Sequence, residues 1–190
     1  MRTPPKGIEL LDSKHAALVA IDLQSKLLPA IFEAERVIKN SVILLRLGQM
    51  LSIPVILTTQ YAQGLGPVVP EVTGAAPGVT PLDKTSFGCF GDEGFVRHLK
   101  EAAPDRTTLL VAGVESHVCV MQTVLGAINA GYNVHVAEDA TSSRTGMNWQ
   151  IGLNRMEHAG AVSSSTEMMV YELLRKSGTP EFKAILPLLK

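Results

Sequence analysis

Cysteine is scarce in this 190-residue chain: only Cys89 and Cys119 occur, 30 positions apart. With no CxxC and no Cys/His ligand spacing, neither a disulfide framework nor a zinc knuckle is indicated, which leaves a free thiol available for chemistry. An excess of one charge is also lacking. The 17 basic residues nearly cancel the 18 acidic ones, giving a net charge of −1, and no run of Lys and Arg could form a stripe that tracks phosphates. Nucleic acid is therefore not an expected partner. No stretch approaches the roughly 20 uninterrupted apolar residues of a membrane helix, and the opening MRTPPKGIELLDSKH has no apolar h-region. No membrane partner and a cytoplasmic location are the expectations.

Hydrophobic residues, by contrast, make up 46% of the chain, ample for one buried core. The expectation is a single domain over 1–190, with its core at about 14–176 and a helical tail at 177–190. AALVAIDL at 16–23 reads as a parallel strand buried on both faces, with Asp22 near its carboxyl end. Apolar residues at three- and four-residue steps predict a helix over 35–51, followed by a strand at 53–59. Glycines and prolines in QGLGPVVP and GAAPGVTP rule out regular structure over most of 60–81, a long loop of the kind that covers sites. A brief strand then leads to Lys84, a helix covers 92–102, and a strand covers 107–111, ending at Gly113.

Ser116 is a candidate N-cap for a helix that ends near Gly131, with Val118, Met121, Val124, Leu125 and Ile128 on one apolar face. A strand at 133–137 precedes a polar turn, EDATSSR. A helix at 148–159, a strand at 161–163 and a helix at 167–176 complete the alternation. Strands alternating with helices predict an α/β fold: a three-layer, doubly wound sheet, mainly parallel, with helices on both faces. Ligands of such sheets bind beyond the carboxyl ends of the strands, where strand order switches.

Three residues could carry chemistry there. Cys119, in the first turn of the helix from Ser116, would be held as a thiolate by unpaired N–H groups and the helix dipole; the alternative is a small buried hydrophobe. Asp22 closes an apolar strand, so its carboxylate must be hydrogen-bonded or face a cleft, and it could exchange a proton with the thiol. Its alternative is a bracing or capping aspartate. Lys84 could reach the same cleft and lower the thiol pKa, although an isolated lysine more often sits solvated at the surface.

The ordered set VAIDLQ, TTQ, DKTSF, GVESHVCVMQT and GYNVHVAEDATSSR resembles the isochorismatase-like cysteine hydrolases. Among them the YxxGLG loop and the DATSSR turn are similar to the isochorismatase domain-containing protein 2 type. The resemblance covers most of the chain, from about residue 16 to the Pro-bounded tail. It implies strand order 3-2-1-4-5-6 and a triad of Asp22, Lys84 and Cys119. It also implies a cis peptide at Val114–Glu115 and an oxyanion hole of backbone N–H groups around Val114, Glu115, Val118 and Cys119. TTQYAQGLGP has no histidine where nicotinamidases of this superfamily carry an Asp/His metal cluster, so no metal and no cofactor are expected, and nicotinamide is a poor substrate guess. The presence of Cys119, which true isochorismatases lack, argues against isochorismate and for a small-molecule amide or related C–N or acyl substrate.

Gln60, Tyr61 and Phe87 are the candidate pocket walls, with Gln60 able to bond a substrate oxygen. Cys89 is assigned to packing first, with a pocket-lining or peroxide-sensitive role as the alternative. His117 should diverge from Cys119 along the helix, Arg144 should brace its turn or a subunit interface, and His158 and Trp149 read as structural. Rival functions are a silent binding or scaffold protein and a thiol-based redox sensor. The resemblance also implies a homo-oligomer, a dimer or larger, for which the apolar AILPLLK is a candidate interface unless it packs on its own domain.

Overall fold

A computed structural model describes residues 9–189. Six strands form one parallel sheet in the order β3-β2-β1-β4-β5-β6, as expected. They are β1 (Ala16–Ile21), β2 (Val55–Gln60), β3 (Leu82–Lys84), β4 (Thr108–Val114), β5 (Asn133–Ser142) and β6 (Val162–Ser164). Alternation along β1 explains why the sequence reads as one continuous apolar run. Ala16, Leu18 and Ala20 enter one apolar cluster, while Ala17, Val19 and Ile21 enter another on the opposite face.

The first cluster is closed by α1 (Ala34–Met50), α3 (Pro70–Ala75), α7 (Thr166–Leu174) and α8 (Pro180–Ile185), and the second by α4 (Glu93–Ala102), α5 (Met121–Asn129) and α6 (Gly146–His158). Several helices start where a side chain can take an orphan amide. Asp92 accepts from Phe95 N–H at 2.9 Å, Thr145 from Asn148 N–H at 3.2 Å, and Ser165 from Met168 N–H at 3.2 Å. Ile185 of the terminal AILPLLK segment is fully buried in the α1 cluster, so that segment packs on its own chain.

The 60–81 segment is irregular in part and holds two short helices, α2 (Ala62–Leu65) and α3, the latter starting at Pro70, where proline is tolerated because its missing N–H has no helical partner anyway. Two expectations are corrected. β5 runs on to Ser142 through most of the expected polar turn, because Thr141 and Ser142 pair with Gly113 and Val114 past a register shift. Ser116 caps nothing. It lies inside a π-helical turn, Ser116–Val120, and its hydroxyl donates to Ser142 O at 3.2 Å.

The switch in strand order lies between β1 and β4, and Gly113 sits beside it. Its φ is +117°, and a Cβ there would meet Ile21 O at 2.1 Å, so only glycine lets the two strands stay paired up to their carboxyl ends.

Candidate active site

Asp22 is the first residue after β1, with φ +53°, a left-handed conformation that aspartate adopts more readily than most residues. The turn carries its side chain under the end of the sheet, where it is completely buried. Each carboxylate oxygen has a donor. Oδ1 accepts from Thr58 Oγ1 at 2.7 Å, and Oδ2 accepts from Lys84 Nζ at 2.8 Å.

Lys84 closes β3, the strand on the far side of β2, and is 3% exposed. Its ammonium has three protons and three acceptors: Asp22 Oδ2, Gln60 Oε1 at 3.0 Å and Phe87 O at 3.2 Å. The cation is therefore saturated by protein atoms. It supplies charge to the site, with no N–H left over for a ligand.

Cys119 lies in the π-helical turn between β4 and α5, 7% exposed. Its thiol is pushed up to about 12, first by burial and then by the negative charge of Asp22; Lys84 opposes the shift. This corrects the expected thiolate. The helix-end amides and the Lys84 charge do not outweigh desolvation and a nearby carboxylate, so the resting sulfur is S–H. Asp22, Lys84 and Cys119, which come from three separate strand ends, are thus brought into one buried cluster.

The peptide Val114–Glu115 is cis. Glu115 leads from β4 into the π turn, and its carbonyl accepts from Val118 N–H at 3.0 Å and from Val120 N–H at 3.2 Å. That commitment removes Val118 from the expected set of oxyanion donors. The Glu115 carboxylate accepts from Arg144 N–H at 3.1 Å and from Arg144 Nε–H at 3.0 Å, so Arg144 braces the turn from outside.

The expected pocket walls are placed differently. Both ends of the Gln60 amide are committed, Oε1 to Lys84 and Nε2 to Thr85 O at 2.8 Å, which makes Gln60 a support for Lys84 and not a ligand for substrate. Gln24, which the sequence reading missed, holds the Gln60 backbone: its Oε1 accepts from Gln60 N–H at 2.7 Å and its Nε2 donates to Gln60 O at 3.2 Å. Tyr61 is half-exposed, with its ring lying over Gly64 and its N–H on Lys84 O at 2.9 Å. Phe87 contributes its carbonyl to Lys84, while its ring is more than half exposed and lines a groove of about 500 Å³ with Ser86, Gly88 and Gln122.

Cys89 is fully buried, and burial pushes its thiol up to about 11. Its N–H donates to Thr123 Oγ1 at 3.0 Å, and the Thr123 hydroxyl donates to Cys119 O at 2.7 Å, tying the loop after Lys84 to the turn that carries Cys119. His117 turns away, its Nδ1 paired with Ser143 Oγ at 2.9 Å. Trp149 packs under Arg36, whose guanidinium lies 4.5 Å from the ring centroid, and His158 sits on α6 with Nδ1 2.6 Å from Asn154 O. Among the described residues, no group of three or more His, Cys, Asp or Glu side chains could hold a metal ion, and no helix is long and apolar enough to cross a membrane.

The chain that carries this cluster matches a family model over most of its length. The isochorismatase domain matches residues 16–168. The chain belongs to the isochorismatase family. It is 36% identical over 188 residues to the secreted isochorismatase effector Isc1 of Phytophthora sojae, covering 97% of this chain and 89% of that protein. It is 35% identical over 177 residues to isochorismatase domain-containing protein 2 of Rattus norvegicus, covering 93% and 82%.

Among solved structures it is similar to the MAR1 ribonuclease of Caenorhabditis elegans, with a TM-score of 0.87 and 33% identity over 95% of this chain and 92% of that one. YcaC of Pseudomonas aeruginosa, solved with covalent acrylamide, has a TM-score of 0.88 and 28% identity over 95% and 92%. YcaC of Escherichia coli, described as an octameric hydrolase of unknown specificity, has a TM-score of 0.85 and 28% identity over 98% and 89%. Family membership makes a hydrolase the coarse reading of this chain.

Proposed function

We propose that this isochorismatase-family hydrolase uses Cys119 as a covalent nucleophile, Asp22 as proton acceptor and donor, and Lys84 as the fixed cation that holds Asp22. Its substrates are small amides or related C–N or acyl compounds, cleaved through a thioester without a metal. The observation that carries this reading is the buried Asp22 carboxylate, gripped by Thr58 and Lys84 on its two oxygens and near enough to Cys119 for its charge to raise the thiol pKa, while the three acceptors of Lys84 take all its protons.

The thiol proton passes to Asp22 as Cys119 Sγ bonds to the carbonyl carbon, and the carbonyl electron pair moves onto oxygen. The Cys119 N–H, at the cis-peptide turn, is the donor we assign to that oxyanion, with the turn around Val114 and Glu115 setting its position. Collapse breaks the C–N bond, and the leaving amine takes the proton from Asp22. A water then gives its proton to Asp22 and adds to the thioester; collapse releases the acid, and the proton returns to Cys119. The exposed rings of Tyr61 and Phe87 flank the approach, on the segments that pass over Lys84.

The covalent acrylamide of the Pseudomonas YcaC structure supports a reactive nucleophile in a relative. The redox-sensor alternative is disfavoured, because a peroxide-sensing cysteine needs thiolate character and access, whereas both thiols here are buried and raised. We further propose a homo-oligomer, in keeping with the octameric Escherichia coli relative; light scattering at several concentrations checks it, and a monomer throughout would refute it.

The test of activity is a screen of small amides and esters, with RNA as counter-substrate because of the similarity to a MAR1 ribonuclease. We expect acyl turnover with a Cys119-bound acyl group visible by intact mass. Turnover that survives Cys119→Ser, or cleavage of RNA alone, would overturn the reading.

A further inference from the structure

The face of β2 that meets α4 and α5 runs Ile56, Thr58, Gln60, since alternate residues share a face. Ile56 lies in the apolar cluster on that side. Thr58, 1% exposed, follows it in a row where valine would have the same shape and an equal or better fit to a buried strand. A hydroxyl in that place must be satisfied, and this one donates to Asp22 Oδ1 at 2.7 Å. Cys89, just before α4, is fully buried in the same apolar cluster as Ile56.

We propose that Thr58 is a positioning residue for the Asp22 base: its hydroxyl grips Oδ1 while Lys84 grips Oδ2, and the two donors together fix the plane of the carboxylate so that it meets the Cys119 thiol. The inference rests on the hydrolase reading above. One donor alone would leave the carboxylate free to rotate about its Cβ–Cγ bond; two donors on different oxygens, from β2 and β3, remove that freedom. The grip is short and buried, and the sheet on either side is rigid. Gln60, two residues along the same face, holds Lys84, so one face of one strand sets both members of the Asp22–Lys84 pair. Cys89, in the cluster on that side of the sheet, is packing and not a nucleophile in this reading.

The test uses the whole protein and p-nitroacetanilide, an amide whose leaving amine must take the proton from Asp22, with acylation of Cys119 followed at pH 7 by peptide mass spectrometry so that Cys89 does not confuse the reading. Thr58→Val should slow Cys119 acylation about tenfold, the size expected for losing one hydrogen bond to a charged group. Thr58→Ser should restore the rate to within about twofold, and Thr59→Val, on the opposite face of the strand, should leave it unchanged. In an Asp22→Asn background Thr58→Val should add nothing, because the hydroxyl acts only through the carboxylate.

Parent-like acylation in Thr58→Val, or an effect that persists in the Asp22→Asn background, overturns the Thr58 proposal while Asp22→Asn alone still slows the reaction and keeps the hydrolase reading. Parent-like acylation in Asp22→Asn, or none in the parent, sinks both. If Thr58→Val does not fold, Thr58→Ala removes the same hydroxyl without filling the site and is judged by the same outcomes.

Discussion

Two ion pairs flank the candidate site, and they differ in nearly everything but their chemistry. Lys84–Asp22 is sealed under the sheet, with side chains 1% and 0% exposed, at 2.8 Å; Arg144–Glu115 lies at the rim, 62% and 14% exposed, at 3.0 Å. The rim pair competes with water for each of its bonds. The sealed pair does not, and removing either partner leaves a bare charge in an apolar medium. The same contact is thus a structural necessity in one place and a local brace in the other.

Lys84→Met should break the comparison most sharply. It strands the Asp22 carboxylate, and unfolding by urea should show a loss of about 3–5 kcal/mol; a parent-like midpoint would mean that the pair is far wetter than its burial implies. Asp22→Asn should leave Lys84 with two of its acceptors, and its main effect is chemical. Burial remains the first cause of the raised Cys119 pKa, so at pH 7 the sulfur stays protonated with no base beside it and the leaving amine has no acid, and turnover of an amide substrate should fall about a hundredfold. The thiol pKa should fall from about 12, because a negative neighbour has gone. A rise would contradict the arrangement.

His135 sharpens the comparison by supplying a buried polar group without an ion-pair partner. Among the described residues its Nδ1 has no hydrogen-bond partner, and burial holds its pKa below the ordinary value, opposed by Glu172. The fold therefore refuses a proton that the unfolded chain accepts. Stability from this group is complete above the unfolded value of about 6.5 and declines as pH falls below it. Urea midpoints at pH 7.5 and 5.5 should differ in that direction, and His135→Gln should flatten the slope; an unchanged slope would refute it. The smallest effect belongs to the rim: Arg144→Ala should cost less than about 1 kcal/mol in the same unfolding assay.

The parts of the fold that could be read from the sequence are those written as hydrophobic pattern. β1, α1, β2 and β4 are apolar runs or periodic stripes, and their alternation fixes a parallel sheet. The end of β5 escaped, because Thr141 and Ser142 are polar yet buried, paired across the bulge beside Gly113. α3 escaped because its proline looked like a breaker when it was a first-turn residue.

In the site, Asp22, Lys84 and Cys119 could be found from strand ends, a helix start and a family likeness. Gln24 and Thr58 could not, since an isolated glutamine or strand threonine carries no local signal and its meaning comes from residues 36 positions away in each case. The thiol was misjudged for a related reason. A helix start is visible in sequence, whereas the desolvation that outweighs it belongs to the packed fold.

The saturated ammonium of Lys84 has a consequence for recognition as well as for chemistry. In the function proposed above, a cation whose three protons are all taken leaves the binding of substrate to other groups, such as the segment from Tyr61 to Val79 and the loop bearing Phe87. Changes at the exposed side chains of those segments would leave the Asp22–Lys84 bond as it is. The proteins to which the chain is similar are described as differently as an effector, a ribonuclease and a hydrolase of unknown specificity.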